Sequence, residues 1–264
     1  MQDFGFHRPQ DVKGAIGLLR KAKEGKYLGG GQSLIPVMRL GLASPSDLVA
    51  LAGLAELKGI RVDGKTLVVG AGATHAEVAD SADVRKAIPA LADLAGHIGD
   101  PQVRNRGTLG GSLAHDDPAA DYPAAVLALA ATLQTDRRAI PADDFFQGMF
   151  QTALAADELI VAVRFPVPEK AAYAKLPHPA SRFALVGVMV AKGPGGVRVA
   201  VTGAGPGVFR SPELEKALSA RFSPDAIAGV AVPSAGLTAD AFGSAEYRAH
   251  LVGVLARRAV ASCA

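Results

Sequence analysis

The sequence contains no tryptophan, only four tyrosines and a single cysteine, Cys263. One thiol excludes a disulfide within the chain and a four-cysteine iron–sulfur or zinc site. With so few Trp and Tyr residues, a surface that stacks nucleic-acid bases is not expected. The scarcity of cysteine, and the lack of a signal-peptide pattern in Met1–Phe6, favour a cytoplasmic protein.

Long apolar runs and blocks of one charge are also missing. The longest apolar stretch, Tyr122–Leu133, falls short of the roughly 18–20 residues that a membrane-spanning helix needs. The 28 Lys and Arg residues are scattered among 25 Asp and Glu residues, which gives a net charge of +3. Neither a membrane span nor a nucleic-acid-binding face is expected. The 264 residues are 49% hydrophobic, enough for two or three compact units.

Local patterns predict a mixed α+β chain. Ile60–Val62 and Thr66–Gly70 form a β-hairpin around an Asp-Gly turn, and Thr74 and Glu77 have the spacing of a helix capping box. Three units are predicted, at residues 1–57, 58–168 and 169–264. The other predicted elements are strands at Tyr27–Leu28, Asp47–Leu51, Asp157–Phe165, Ala184–Ala191 and Val197–Val201, helices following Asp11 and at Leu34–Leu40, Ile88–Ile98, Tyr122–Leu133 and Ser244–Val260 (with Arg248, Arg257 and Arg258 facing solvent), and a glycine-rich loop between strands at Asp100–Leu113.

Two short glycine motifs carry the functional signal. The first is Gly29–Ser33, directly after a predicted strand, and the second is Thr108–Ser112, about eighty positions later. Consecutive backbone N–H groups without side chains can surround a diphosphate, and the hydroxyls at the loop edges add donors. Neither motif fits the phosphate loop or the G-x-G-x-x-G dinucleotide pattern. Each loop alone is also compatible with a plain tight turn, whereas the pair indicates a clamp on one dinucleotide.

An acidic segment follows the second motif, with carboxylates at Asp116, Asp117 and Asp121. Next to a phosphate these charges would repel, but they would accept hydrogen bonds from sugar or ribityl hydroxyls. The alternative is helix capping, with Asp121 as the N-cap residue. The histidines are widely spread and give no metal-ligand spacing, so no metal site and no catalytic residue is predicted.

These residues together resemble the FAD-binding medium subunits of molybdenum hydroxylases. The likeness is to carbon monoxide dehydrogenase medium subunits and, more distantly, to the flavin domain of xanthine dehydrogenase. It extends along nearly the whole chain, in the segments Phe4–Pro9, Gly29–Pro36, Asp100–Ser112, Asp117–Pro118 with Asp121, Phe145–Gly148, Asp157–Ile160, Tyr173–Leu176 and Ala245–Arg248.

The resemblance implies a two-subdomain FAD-binding fold of the vanillyl-alcohol oxidase and p-cresol methylhydroxylase type, followed by a C-terminal α+β domain that covers the flavin. FAD would be bound non-covalently. Electrons would arrive from a [2Fe-2S] small subunit, fed by a molybdopterin large subunit, in a dimer of heterotrimers. The implied cofactor-binding residues are Gly29, Gly30, Gly31, Gln32, Ser33, Leu34, Thr108, Leu109, Gly110, Gly111, Ser112, Asp117, Asp121, Lys175 and Phe183.

Lys175 has two interpretations at this stage. It follows Tyr173 on a predicted strand and could stabilise a reduced, anionic flavin electrostatically, or it could be an ordinary edge-strand lysine. Phe183 stands where carbon monoxide dehydrogenases carry a tyrosine near the flavin ring. Gly29, Gln32 and Ser112 also depart from that family's usual residues. The substrate of the large subunit (carbon monoxide, a purine, an N-heterocycle or an aldehyde) and the electron acceptor stay open.

Two other functions compete with an electron-transfer subunit. A self-sufficient flavin dehydrogenase or oxidase would bind its own organic substrate, and often carries a covalent His or Cys link to the flavin. Neither glycine loop contains His or Cys. The other alternative, an interaction module without a cofactor, is disfavoured by the two intact glycine loops.

Overall fold

The computed structural model describes residues 3–263 and contains three main β-sheets surrounded by helices. The strands are β1 (Gly5–His7), β2 (Gly25–Leu28), β3 (Asp47–Ala50), β4 (Ile60–Asp63), β5 (Thr66–Gly70), β6 (Thr132–Thr135), β7 (Ala139–Pro141), β8 (Phe146–Gly148), β9 (Gln151–Thr152), β10 (Ile160–Pro166), β11 (Lys170–Pro177), β12 (Ala184–Gly193), β13 (Gly196–Thr202) and β14 (Phe209–Arg210). The helices are α1 (Val12–Lys21), α2 (Leu34–Arg39), α3 (His75–Asp80), α4 (Ala82–Ala87), α5 (Pro89–Gly96), α6 (Pro101–Arg104), α7 (Leu109–His115), α8 (Tyr122–Ala128), α9 (Ala142–Phe145), α10 (Pro212–Ala220) and α11 (Ala245–Ser262), with short 3₁₀ turns at Ala55–Leu57 and Pro224–Ile227.

The first sheet is small and parallel, in the order β1-β3-β2. Helix α1 begins at its N-cap Asp11, whose carboxylate accepts a hydrogen bond from the Gly14 amide at 2.6 Å. The helix buries Ala15 and Leu19 against Val49 of the central strand. β2 ends at the first glycine loop, as the sequence predicts.

The second sheet is antiparallel, in the order β4-β5-β10-β6-β7. The predicted hairpin is confirmed as β4 and β5, and the capping box of Thr74 and Glu77 begins α3. The first two sheets are tied together at Asp157. Its carboxylate accepts from Arg20 of α1 at 2.6 Å, and its carbonyl oxygen accepts from the Tyr27 hydroxyl at 3.1 Å.

The third sheet, β11-β12-β13-β14, lies between two layers of helix. Helices α10 and α11 pack on one face, around Val188, Val190 and Val199. The other face contributes Tyr173 and Met189 to the core that α5 and α8 form with the second sheet. The α+β class is therefore confirmed, and the three sheets occupy successive stretches of the chain. The boundaries after residues 57 and 168 stay a prediction.

Two predicted elements are wrong in the region between α5 and β6. Asp100–Leu113 is not a loop between strands, because Asp100 caps α6 and Thr108 caps α7. The predicted helix Tyr122–Leu133 ends at Ala128. Ala130 takes a left-handed conformation (φ 50°), and β6 begins at Thr132. The apolar residues continue from α8 into β6 without a break, because both elements are buried in the same core.

The predicted solvent exposure of Arg248 is also wrong. Arg257 and Arg258 are exposed on α11, but Arg248 is only 3% exposed. A buried guanidinium needs several acceptors at once, and three oxygens surround it, two of them from residues 45 and 63 positions away. No local pattern reveals such partners.

Candidate functional site

A cavity of about 650 Å³ lies where the three sheets meet. Its walls come from the first glycine loop and α2, from the start of α7 with the acidic segment, and from Ser181–Phe183 of the hairpin between β11 and β12. It collects all the predicted cofactor-binding residues except Leu109 and Lys175, namely Gly29, Gly30, Gly31, Gln32, Ser33, Leu34, Thr108, Gly110, Gly111, Ser112, Asp117, Asp121 and Phe183. Leu109 is fully buried in the core instead.

The first glycine loop offers unpaired backbone donors. Within residues 3–263, none of the five amides from Gly29 to Ser33 donates a hydrogen bond to another residue. Buried or half-buried amides are normally bonded, so an unpaired series of them is suited to an anion with several acceptor oxygens. The Gly31 backbone has φ +75°, a conformation that favours glycine.

The two glycine loops touch each other. A Cβ at Gly30 would collide with the carbonyl oxygen of Arg106 and come within 2.7 Å of the Gly107 Cα. A Cβ at Gly29 would meet only the Thr108 hydroxyl, at 3.1 Å. The absence of a side chain at Gly30 is therefore required by loop–loop packing, a reason that the motif alone does not show.

The second glycine motif differs from the sequence prediction in its local structure. It is the first turn of α7, and four of its five amides are already bonded within the protein: Leu109 to the Ala73 carbonyl at 2.9 Å, Gly110 to the Ala71 carbonyl at 2.8 Å, Gly111 to the Thr108 hydroxyl at 3.1 Å, and Ser112 to the Thr108 carbonyl at 3.0 Å. A Cβ at Gly110 would lie 2.6 Å from the Ala71 Cβ. Apart from the Thr108 amide, this motif consequently offers hydroxyls rather than amides to the cavity.

His75 supports the second motif and was missed by sequence reasoning. Its backbone amide donates to the Gly107 carbonyl at 3.0 Å, and its ring occupies the space that a Gly107 side chain would need. Burial, with a smaller contribution from Arg104, lowers the pKa of His75 to about 4. The imidazole is therefore neutral at pH 7. The capping box one residue earlier predicts a helix start there, but not the burial.

Asp121 does not cap α8. No hydrogen bond of its side chain caps the helix; the carboxylate accepts from the Tyr173 hydroxyl at 2.6 Å and pairs with the Lys175 ammonium at 2.9 Å. Burial raises the pKa of Asp121, and Lys175 and Tyr173 oppose that rise. Lys175 lies on the edge strand β11, yet its side chain is 7% exposed. Asp121 lines the cavity, whereas its partner Lys175 does not.

The neighbouring carboxylates have different surroundings. Asp117 accepts from the Ala119 amide at 2.8 Å and lines the cavity. Asp116 is buried in a left-handed backbone conformation (φ 48°), and its Oδ2 has no partner among residues 3–263. Burial, reinforced by the charge of Asp117, raises the pKa of Asp116 to about 7.

This shift predicts a pH-dependent stability. Between pH 4 and 7 the folded chain holds a proton on Asp116 that the unfolded chain, with a carboxyl pKa near 3.9, has lost. The free energy of unfolding therefore falls as pH rises through that window. The Asp116→Asn variant lacks this titration. We therefore expect the difference in free energy of unfolding, variant minus wild type, to increase by on the order of 1–3 kcal/mol from pH 5 to pH 8. Denaturant unfolding at both pH values measures it, and parallel pH profiles would contradict it.

A family model and several known proteins match this chain along most of its length. Residues 2–168 match the model of the FAD-binding domain in molybdopterin dehydrogenase. The chain belongs to this family of FAD-binding subunits. Nicotine 6-hydroxylase medium subunit of Paenarthrobacter nicotinovorans is 37% identical over 97% of this chain and 95% of its own length. The carbon monoxide dehydrogenase structure from Hydrogenophaga pseudoflava matches with 35% identity and a TM-score of 0.89, covering 99% of this chain and 97% of that one.

A third similarity is to quinoline 2-oxidoreductase from Pseudomonas putida 86, with 28% identity, a TM-score of 0.89, and coverage of 99% and 97%. The chain thus has the fold of this FAD-binding family and is a flavoprotein subunit of the molybdenum hydroxylase type, which confirms the family, cofactor and oxidoreductase predictions. This favours an electron-transfer subunit over a self-sufficient dehydrogenase. Across residues 3–263 no helix combines the length and apolarity needed to cross a membrane.

The site fits FAD. The cavity lies within the roughly 300–1,000 Å³ typical of ligand pockets, its first loop has unpaired amides for a diphosphate, and the carboxylates of Asp117 and Asp121 can accept from hydroxyls. No group of three or more His, Cys, Asp or Glu side chains within residues 3–263 is arranged to hold a metal ion.

Proposed function

We propose that this chain holds FAD non-covalently in the cavity between its three sheets and exchanges electrons with a [2Fe-2S] small subunit and an external acceptor, while a molybdopterin large subunit oxidises the substrate. The observation that carries the proposal is the convergence of thirteen predicted residues, all those except Leu109 and Lys175, on one cavity. FAD supplies the ability to exchange one or two electrons when it is bound. The protein supplies the position.

The residues have separate tasks in this proposal. The unpaired amides of Gly29–Ser33 bind the diphosphate, and the hydroxyls of Thr108 and Ser112 donate beside them. Asp117 and Asp121 accept from the ribityl or ribose hydroxyls. Phe183 is 45% exposed at the cavity wall and shields the ring position from water. Lys175 acts through Asp121.

The assembly and location are proposals of the same kind. We propose a dimer of heterotrimers in the cytoplasm, and three units in each chain with boundaries after residues 57 and 168. Medium subunits of a nicotine hydroxylase and of carbon monoxide dehydrogenases are similar to this chain to nearly the same degree. Because similar medium subunits occur in enzymes named for such different substrates, we expect the large subunit to determine which substrate is oxidised.

The partnership has a direct test. With one cysteine the chain cannot hold a four-cysteine cluster, so electrons have to cross a subunit interface. We expect the full chain with FAD to leave its flavin oxidised when the complex's substrate is added. After chemical reduction it should reduce an artificial acceptor. Adding the small and large subunits should restore substrate-driven bleaching of the flavin absorbance.

Two results bear on the alternative. Bleaching by an organic substrate at a normal rate without partner subunits would favour a self-sufficient dehydrogenase. Failure to bind FAD after reconstitution, alone and in the complex, would contradict the cofactor site itself. Iron and molybdenum that co-purify with this chain would support the complex.

A further inference from the structure

Arg248 occupies the point where the strands β12 and β13 separate. Their ladder ends at the pair Gly187 and Thr202, and beyond it the carbonyls of Leu185 and Gly203 lack strand partners. The Arg248 guanidinium reaches both of these oxygens, at 2.7 and 2.8 Å. An arginine from α11 thus completes the hydrogen bonds of two strand ends.

The same strand ends hold one wall of the cavity. The Gly203 amide donates to the Pro118 carbonyl at 2.8 Å, and the Ala184 amide donates to the Ala119 carbonyl at 3.2 Å. The Thr202 hydroxyl donates to the Ala120 carbonyl at 2.6 Å. Three consecutive carbonyls between Asp117 and Asp121 are therefore fixed by β12 and β13.

A second set of contacts runs from Arg248 to the hairpin loop between β11 and β12. Its other terminal nitrogen donates to Asp240 at 2.8 Å, and Asp240 accepts from the Phe242 amide at 2.9 Å. The Phe242 ring packs edge-on against His178, with 4.2 Å between ring centroids. His178 begins the hairpin loop, and its amide donates to the Phe183 carbonyl at 2.8 Å.

We propose that Arg248 is a positioning residue for FAD, acting through Thr202 and the Pro118–Ala120 backbone and, by a second set of contacts, through Asp240 and the hairpin loop. Its guanidinium is suited to this because its planar fork meets three acceptors in fixed directions, whereas an ammonium cannot reproduce that geometry. Arg248 does not line the cavity. The inference rests on the FAD site proposed above.

The test measures FAD binding to the full chain. We expect Arg248→Lys to weaken FAD binding about tenfold, the effect of losing about 1.4 kcal/mol, and to alter the visible circular dichroism of the bound flavin. Thr202→Val keeps the side-chain shape and removes the hydroxyl of a fully buried residue. This variant should weaken FAD binding several-fold with the same spectral change. If Arg248→Lys does not fold, the Thr202→Val result decides whether these strand ends position FAD.

Two controls separate positioning from general stability. Arg257→Lys changes an exposed arginine on the same helix, and Ser211→Ala removes another buried hydroxyl of the same unit. Both should leave FAD affinity and the flavin spectrum unchanged. Binding of FAD to the wild-type chain tests the proposed FAD site independently of the role of Arg248. If Arg248→Lys and Thr202→Val lower only the melting temperature of the apoprotein, with FAD affinity and spectrum as in the wild type, the positioning role is wrong.

Discussion

Gly30→Ala is expected to abolish detectable FAD binding. The added Cβ would overlap the Arg106 carbonyl oxygen and the Gly107 Cα, both of which are backbone atoms. Backbone cannot rotate aside as a flexible side chain can, so the two glycine loops must separate. The unpaired amides of the first loop then leave the position in which they face the cavity. Flavin fluorescence quenching and absorbance after gel filtration measure the bound fraction.

Gly29→Ala is the matched control. Its Cβ would contact only the Thr108 hydroxyl, at 3.1 Å, and a shift of a few tenths of an ångström relieves this contact without breaking the Thr108 hydrogen bond. We expect this variant to bind FAD within about threefold of the wild type, a difference of roughly 0.7 kcal/mol. Equal affinity in both variants would show that contact between the loops does not determine binding. Far-ultraviolet circular dichroism distinguishes loss of the site from loss of the fold.

Lys175→Met is expected to destabilise the folded chain by about 3–5 kcal/mol, the cost of leaving a buried charge without its partner. Asp121 would keep the Tyr173 hydroxyl but lose the ammonium at 2.9 Å. Lys192→Met is the control, because Lys192 pairs with Glu169 at the surface, where such a pair contributes about 0–1 kcal/mol. Denaturant unfolding of the apoprotein measures both.

The loss of stability caused by Lys175→Met, relative to the wild type, should increase with pH. Burial raises the pKa of Asp121, and loss of the neighbouring cation raises it further. The folded variant then holds a proton at pH values where the unfolded chain has lost it, so its stability falls as pH rises above about 4. The difference in free energy of unfolding between the variant and the wild type should therefore become smaller toward acid pH. Adding Asp121→Asn to Lys175→Met should restore much of the lost stability at pH 7. A gap that is constant from pH 4.5 to 8 would contradict this explanation.

The sequence predicts the elements that depend on local chemistry. The hairpin at Asp63-Gly64 and the capping box of Thr74 need only neighbouring residues, and both are present. The glycine loops can be located for the same reason. The contacts of these loops cannot be predicted, because glycine is required at position 30 by the backbone of Arg106, which is far along the chain.

Two further contacts could not be predicted for the same reason. Asp121 has the sequence position of a helix cap, but its partners Tyr173 and Lys175 lie on β11, more than fifty residues away. Arg248 has the periodicity of an exposed helix face, but it completes two strand ends in another element. In both cases a long-range partner overrides a local preference, and a single sequence does not show which residues the fold brings together.

The shared core between the second and third sheets affects how this protein can be divided. Tyr173, Met189, Ala191 and Ala200 of the third sheet belong to the same apolar cluster as α5 and α8, although the sheets themselves separate near residue 168. A chain shortened there would keep the first two sheets and expose one side of that cluster to water. Exchange of the C-terminal unit between relatives therefore has to preserve the matched surfaces of α8 and β11–β13, so these two segments are expected to vary together during evolution.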